Sequence, residues 1–367
     1  MTHIDYMNIA MELALKAKGR TSPNPLVGAI LVKGGKIIAR GFHRRCGADH
    51  AEAVAIKKVG RLAKGAALYV TLEPCSHSGR TPPCTDLIIK SGIQRIFIGM
   101  KDPNPLMNGK SIQLLRKAGL EVKVGFREKE LRKVNESFFK YIQHALPFVV
   151  AKCAQTLDGK IATAGGQSKW ITTKEARSYG HRLRDGFDAI LVGINTVLKD
   201  NPFLNPEGKS KRIKKIILDT RLQLSLKANV FKDVQPGDVI VATTTKADKV
   251  KLDLLNRKNV QVMVCPTYDN RVDLQWLFKE LAKMEITSIL IEGGATMIGA
   301  ALKEKLVDKM MVFVAPKIMG DQKAVSSIIG FAPVDVNHLP RLKDLTFQKI
   351  GDDFLVEGYL NYVYRNR

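Results

Sequence analysis

The chain has 367 residues, 45% hydrophobic and 26% charged, a length that suits two domains and a composition typical of globular proteins. No run approaches the roughly 20 apolar residues of a membrane span, and five scattered cysteines, at 46, 75, 84, 153 and 265, make no disulfide framework, so a cytoplasmic protein without a membrane partner is expected. The net charge of +24 admits nucleic acid, but it is spread along the chain and no aromatics interleave with its densest run, Lys209–Lys215, so nucleic acid is not the expected substrate.

Ile4, Met7, Met11, Ala14 and Leu15 predict a helix over 3–18 with one apolar face. Ser22-Pro23-Asn24-Pro25 ends it, Val27–Val32 reads as a buried strand, and Gly34-Gly35 turns the chain back into Lys36–Gly41. A helix over 50–59, a strand over 67–71, a helix from near Cys84, a strand over 95–99, a helix over 111–118, a strand over 121–124 and a helix over 127–141 follow. That order predicts a mixed α/β sheet with helices on both faces. The boundary is expected near His144–Pro147, giving domains 1–145 and 146–367. In the second, strands are expected at 148–154, 188–193, 212–219, 238–243, 259–264, 287–292 and 308–315, and helices at 173–184, 246–256, 272–283 and 295–305. Leu355–Tyr364 alternates like an edge strand. No secretory leader is expected, because the first residues lack a basic stretch before an apolar core.

The chemistry of the first domain is concentrated between His50 and Cys84. His50, Cys75 and Cys84 offer one imidazole and two thiolates, three ligands for a tetrahedral zinc with a position left for water. Glu52, two residues from the histidine, is the expected proton shuttle, and His-x-Glu followed by Pro-Cys and a second Cys is the signature of zinc-dependent nucleobase deaminases. The bland alternative makes His50 a helix cap and the cysteines apolar fillers. A purely structural zinc would want a fourth ligand, for which His77 and Cys46 are nearest. The insert between Cys75 and Cys84, Ser-His-Ser-Gly-Arg-Thr-Pro-Pro, places His77 and Arg80 beside the metal, where Arg suits an anionic substrate.

The stretches Thr71–His77 with Gly79–Cys84, Pro23–Ala29 and Asp102-Pro103-Asn104-Pro105 resemble the bifunctional riboflavin-biosynthesis deaminase–reductase family. The resemblance implies a cytidine-deaminase-like first domain acting on a phosphoribosyl-pyrimidine, with Asn24, His43, His77 and Arg80 contacting substrate. The second domain has no Gly-x-Gly-x-x-Gly fingerprint, only Ile289–Thr296, an apolar strand with a glycine turn into a helix that could seat a pyrophosphate. Its segments Lys152–Ala162, Gly166–Thr172, His181–Arg184, Asp188–Gly193 and Asp200-Asn201-Pro202 resemble the reductase half of the same family. That implies a dihydrofolate-reductase-like fold using NADPH to reduce the ribosyl group to ribityl. Ala154, Trp170, Thr196, Asp200 and the turn Gly294, Ala295, Thr296, Met297, Ile298, Gly299 and Ala300 would then carry NADPH. Ser168, Arg184, Leu204 and Glu292 would carry substrate, and Lys152 or Asp200 would help supply a proton. A homo-oligomer is expected.

Two departures stand out. The family places an arginine three residues after Leu204, where this chain has Glu207, with Lys209, Lys211 or Arg212 as substitutes. The family's Arg-x-Pro is replaced by Leu222-Gln223-Leu224-Ser225.

Overall fold

A computed structural model describes residues 1–77, 82–105, 107–208, 212–258, 260–333 and 335–360. The described chain forms two compact units, one ending at Ala145 and the other beginning at Leu146.

In the first unit, α1 (His3–Leu15) precedes β1 (Gly28–Lys33) and β2 (Lys36–Phe42). Gly34 and Gly35 join the two strands with φ of 56° and 72°, the left-handed pair that a tight hairpin requires. Then come α2 (Ala51–Val59), β3 (Ala67–Leu72), α3 (Cys84–Lys90), β4 (Arg95–Met100), α4 (Lys110–Lys117) and β5 (Glu121–Val124). The sheet order is β2-β1-β3-β4-β5, with β1 antiparallel to β2 and β3, and β3, β4 and β5 parallel. Alternate residues of β1, β3 and β4 (Leu31, Leu68, Val70, Ile96 and Ile98) join Ile56 and Ile88 of α2 and α3 in one core. Gly41 lets α2 lie directly on β2, because a Cβ there would stand 2.2 Å from the Ala51 carbonyl oxygen.

The expected helix over 127–141 is two helices, α5 (Glu128–Val134) and α6 (Glu136–His144), broken at Asn135. The Asn135 amide is buried and pairs with the backbone of Leu26, accepting from its N–H at 2.7 Å and donating to its carbonyl at 3.1 Å. That bidentate grip holds Asn135 at φ −108°, ψ 24°, outside the helical basin.

The second unit contains β6 (Phe148–Thr156), β7 (Lys160–Ala162), α7 (Lys174–Leu183), β8 (Ala189–Gly193), α8 (Ile194–Asp200), β9 (Lys214–Leu218), β10 (Val239–Thr243) and α9 (Lys249–Arg257). It continues with β11 (Gln261–Val264), β12 (Thr267–Tyr268), β13 (Arg271–Val272), α10 (Leu274–Lys283), β14 (Ser288–Glu292), α11 (Ala295–Lys303), β15 (Lys309–Ala315), β16 (Val325–Ser326), β17 (Lys343–Ile350) and β18 (Asp353–Tyr359). Nine strands make one sheet, β11-β10-β9-β8-β14-β6-β15-β18-β17, parallel from β11 to β15 and closed by the antiparallel β17–β18 hairpin. Period-2 alternation feeds two cores: Ala189 and Leu191 face one side of the sheet, Ile190 and Val192 the other. The strand expected at 355–364 is β18, and it lies between β15 and β17 rather than at the edge. The edge is β17, whose nearly continuous exposure hid it from a pattern search.

Lys215 is the unusual member of this sheet. It is 2% exposed and donates its Nζ to the Val230 carbonyl at 3.3 Å. Burial pushes its ammonium down to about 8 from 10.5, against the pull of Asp238 and Asp233. Below about pH 8 folded and unfolded chains both carry the charge, so the full cost of burying it applies; between there and pH 10.5 the folded chain has shed a proton the unfolded chain keeps, and stability rises. Lys215→Met is expected to raise the unfolding free energy by about 1–2 kcal/mol at pH 7. Urea titrations should show that gain shrinking toward pH 10.

Candidate functional site

In the first unit the helix starts and one strand end converge. His50 is the N-cap residue of α2, and its side chain makes no capping bond. Cys84 is the first residue of α3, and Cys75 follows the end of β3. Two backbone ties register them: Cys84 N–H donates to Cys75 Sγ at 3.4 Å, and Thr85 N–H to the Cys75 carbonyl at 3.1 Å. His50 Nδ1 lies 3.5 Å from Cys75 Sγ and 3.3 Å from Cys84 Sγ, and the three ligand atoms all fall within 4.8 Å of one another. A tetrahedral zinc, with bonds of about 2.1 Å to nitrogen and 2.3 Å to sulfur, needs such N···S separations to be about 3.6 Å.

The electrostatics fit a cation at that point. The Cys84 thiol, hydrogen-bonded to Cys75, pushes the Cys75 thiol down to about 4, with His50 adding to the effect against burial. With that thiolate beside it, Cys84 is pushed up. The pair therefore holds one proton between two sulfurs, where a metal ion would let both ionise. Glu52, 3% exposed on the first turn of α2, hydrogen-bonds the Cys84 side chain, and burial pushes its carboxyl up to about 7.

Asn24 and His43 stand beside this cluster. Asn24 Nδ2 donates to His43 Nε2 at 3.1 Å, while His43 Nδ1 donates to the Asp49 carbonyl at 3.2 Å. Burial pushes the His43 imidazole down, so it serves as a neutral acceptor and donor in that chain. Its ring meets His50 edge-on, with centroids 5.3 Å apart. His77 Nδ1 contacts the buried Met107 Sδ at 3.1 Å. Arg80 lies outside the described residues.

The second unit has a cavity of about 310 Å³ at the carboxyl ends of its parallel strands. Lys152 and Ala154 reach it from β6, Ser168 and Trp170 from the segment after β7, and Asp200 from the end of α8. Arg184 and Glu292 face it as a bidentate pair, Nε to Oε1 at 2.9 Å and Nη2 to Oε2 at 2.8 Å. Burial works the other way, yet the Arg184 guanidinium holds the Glu292 carboxyl below its usual range. Gly293 and Gly294, at φ 74° and 79°, make the left-handed turn that leads β14 into α11. Ala295 and Ile298, three apart on one face of α11, complete that wall. Thr296, Met297, Gly299 and Ala300 lie outside it, and Gly299 is a packing glycine, because a Cβ there would stand 1.9 Å from the Ile329 carbonyl oxygen. Thr196 sits by the turn, its Oγ1 3.7 Å from where a Cβ on Gly293 would be. Leu204 is buried in the core, at φ 58°.

Comparison with known proteins agrees with both halves. Residues 1–100 match the cytidine and deoxycytidylate deaminase zinc-binding region, and residues 147–356 match the RibD C-terminal domain. The riboflavin biosynthesis protein RibD of Aquifex aeolicus is 44% identical over 96% of this chain and 97% of its own. The chain belongs to the RibD family. Among solved structures, Acinetobacter baumannii RibD superposes with a TM-score of 0.87 at 34% identity, covering 97% of this chain and 98% of that one. The Thermotoga maritima diaminohydroxyphosphoribosylaminopyrimidine deaminase/5-amino-6-(5-phosphoribosylamino)uracil reductase reaches 0.86 at 40% identity, with the same coverage.

A RibD protein is a bifunctional deaminase and reductase of riboflavin biosynthesis, with a small pyrimidine substrate, zinc in its deaminase and a nicotinamide cofactor in its reductase. Its fold is α/β, with a cytidine-deaminase-like first domain and a dihydrofolate-reductase-like second. Among the described residues, no helix is long and apolar enough to cross a membrane.

Sequence reasoning assigned no role to several residues at these sites. His181 lines the reductase cavity one helical turn before Arg184, and the His-x-Leu-Arg spacing was the available signal. Arg177 stacks its guanidinium 4.1 Å from the Trp170 ring centroid and so holds that exposed indole at the cavity mouth. Asp102 is pushed up to about 6 by burial, with Glu73 and Cys75 adding to it. Of the candidate substitutes for the missing arginine, Lys209 and Lys211 lie outside the described residues. Arg212 is 3.8 Å from Asp238, just before β9 and so at the opposite strand ends from the cavity.

Proposed function

We propose that residues 1–145 deaminate 2,5-diamino-6-(5-phosphoribosylamino)pyrimidin-4-one and that residues 146–367 then reduce its ribosyl group with NADPH, giving 5-amino-6-(5-phosphoribitylamino)uracil. The observation that carries the first step is the buried Glu52 beside a His50–Cys75–Cys84 ligand set of zinc dimensions. Those three side chains would hold zinc, whose bound water would be acidic enough to serve as the nucleophile near neutral pH. Glu52 takes a proton from the attacking water, passes it to the ring nitrogen, and carries the second to the departing amino group. Asn24 and His43 orient the pyrimidine through their linked side chains, and His77 contacts its phosphoribosyl arm, a role the family resemblance also gives to Arg80.

In the second domain the cavity residues would hold the cofactor, whose chemistry would be hydride donation. The Gly293–Gly294 turn presents backbone N–H groups at the start of α11 for the pyrophosphate, and Trp170, Ala154, Thr196 and Asp200 flank the rest. Ser168, Arg184 and Glu292 hold the sugar, with Leu204 behind them. Reduction of the open-chain sugar leaves a developing negative charge, and Lys152, on the cavity wall, donates the proton; Asp200 is exposed at its rim. We also propose a cytoplasmic homo-oligomer. Its five cysteines form no disulfide, which fits a reducing compartment, and the edge strand β17 leaves Phe347 71% exposed at the margin of the sheet.

The test is incubation with the diaminopyrimidinone phosphate. Ammonia should be released without NADPH, and NADPH should be consumed once added. Stripping the metal with a chelator should stop ammonia release while leaving NADPH oxidation intact when the deaminated uracil is supplied. Ammonia release that survives complete metal removal would sink the zinc assignment.

A further inference from the structure

Glu73 is a buried carboxylate that the deamination steps do not use. It is 3% exposed, two residues before Cys75 and at the end of β3, and its own N–H donates to the Met100 carbonyl at 3.0 Å. Both of its oxygens are spent on one loop. Oε1 accepts from the N–H groups of Gly109 at 3.0 Å and Ser111 at 3.2 Å; Oε2 accepts from Gly109 at 2.9 Å and Asp102 at 3.2 Å.

The sequence explains why the loop needs this grip. α4 begins after Gly109, which has no side chain to cap it and sits at φ 88°. The Lys110 N–H turns back to the Met107 carbonyl at 2.7 Å, so those of Gly109 and Ser111 need an acceptor from elsewhere, and a carboxylate at a helix N-terminus is favoured by the aligned peptide dipoles. Glu73 is that acceptor, supplied from another element. By also holding the Asp102 N–H it fixes both ends of the connection between β4 and α4. Between them, Met107 packs against the two residues that follow Cys75. Met107 is 2% exposed, and its Sδ lies 3.1 Å from His77 Nδ1 and 3.9 Å from Ser76 Oγ. Asp102 Oδ1 in turn accepts from the Asn104 N–H at 2.8 Å, which tightens the start of the connection.

We propose that Glu73 is a positioning residue of the deaminase, capping α4 from the end of β3 and thereby holding the Met107 loop against His77. It acts through that loop and touches neither the metal ligands nor the pyrimidine. The inference rests on the deaminase reading above, and the bifunctional chain supplies its own control.

Glu73→Gln keeps the size of the side chain but turns one acceptor into an NH₂ group facing backbone donors, which breaks part of the grip. The expected result is a rise in the KM for deamination of about tenfold with kcat changed much less, because binding geometry rather than proton transfer is disturbed. Zinc content should stay at the wild-type level, and NADPH oxidation in the reductase assay should be unchanged. Met107→Leu, which preserves packing and removes the sulfur, should move KM in the same direction by a smaller factor. An unchanged KM in Glu73→Gln, or a loss of zinc with a collapse of kcat while the helical circular dichroism stays at the wild-type level, overturns the proposal. Should the deaminase unit of Glu73→Gln fail to fold, seen as lost helical circular dichroism with the reductase still active, Met107→Leu decides: a raised KM supports the proposal and an unchanged one overturns it. Absence of ammonia release from the wild-type enzyme would instead overturn the deaminase reading itself.

Discussion

Glu52→Gln is expected to lower kcat for ammonia release by about 10³-fold or more while the chain keeps its zinc. General acid–base catalysis is worth about 10²–10⁴-fold for one transfer, and Glu52 is assigned both the delivery to the ring nitrogen and the delivery to the leaving group. The substitution isolates that role. Glutamine has the same volume, can still bond the Cys84 side chain, and cannot carry a proton from water to substrate. The carboxyl it replaces is buried and pushed up to about 7, so losing it removes a desolvation cost rather than a stabilising charge. The variant should therefore melt no lower than wild type, and its reductase rate should be intact. Metal analysis, ammonia assay and thermal unfolding on one preparation check all three. Near-normal deamination would remove Glu52 from the mechanism; loss of zinc would make it a structural support of the ligands.

The zinc site was legible because its ligands announce themselves twice. Histidine and cysteine are chemically distinctive, and each sits at an element boundary that local patterning can find: His50 before an amphipathic helix, Cys75 after the run Ala67–Leu72, Cys84 after Pro82-Pro83. Helix and strand positions in both units followed from periodicity in the same way. The failures came where tertiary contacts overrode a local pattern. Asn135 interrupts an apparently continuous helical stretch because its amide pairs with Leu26, more than one hundred residues earlier, a bond no window of sequence contains. β17 was invisible because an exposed edge strand has no buried face to impose alternation. Glu73 lies in the Thr71–His77 motif with no role legible there, since the donors it serves, from Asp102 to Ser111, are backbone groups that carry no residue signature. The reductase site was less legible for a related reason. Its glycine turn and cavity wall are features of backbone geometry, and without the family resemblance Ile289–Thr296 reads as any strand-to-helix turn.

Removing Arg184 should abolish the reductase and destabilise its domain together, and the two effects can be separated. Arg184 and Glu292 are joined by two parallel hydrogen bonds, with side chains only 11% and 13% exposed. A third bond, from Arg184 Nη1 to the Asn205 carbonyl at 3.0 Å, fixes the plane of the guanidinium. Arg184→Met leaves the Glu292 carboxylate buried with its main partner gone, which costs about 3–5 kcal/mol in comparable sites. Replacing both residues with methionine removes the stranded charge as well and should restore most of that stability, because a buried ion pair contributes little over well-packed apolar groups. Activity should not return. If the pair holds the sugar, both variants lose about 10²-fold or more in kcat/KM for NADPH-dependent reduction. Deamination, which depends on the other compact unit, should continue at the wild-type rate in each. Urea unfolding paired with NADPH oxidation makes the comparison, and a double variant that regains both stability and reduction would show that the pair only braces β14 against the turn after α7.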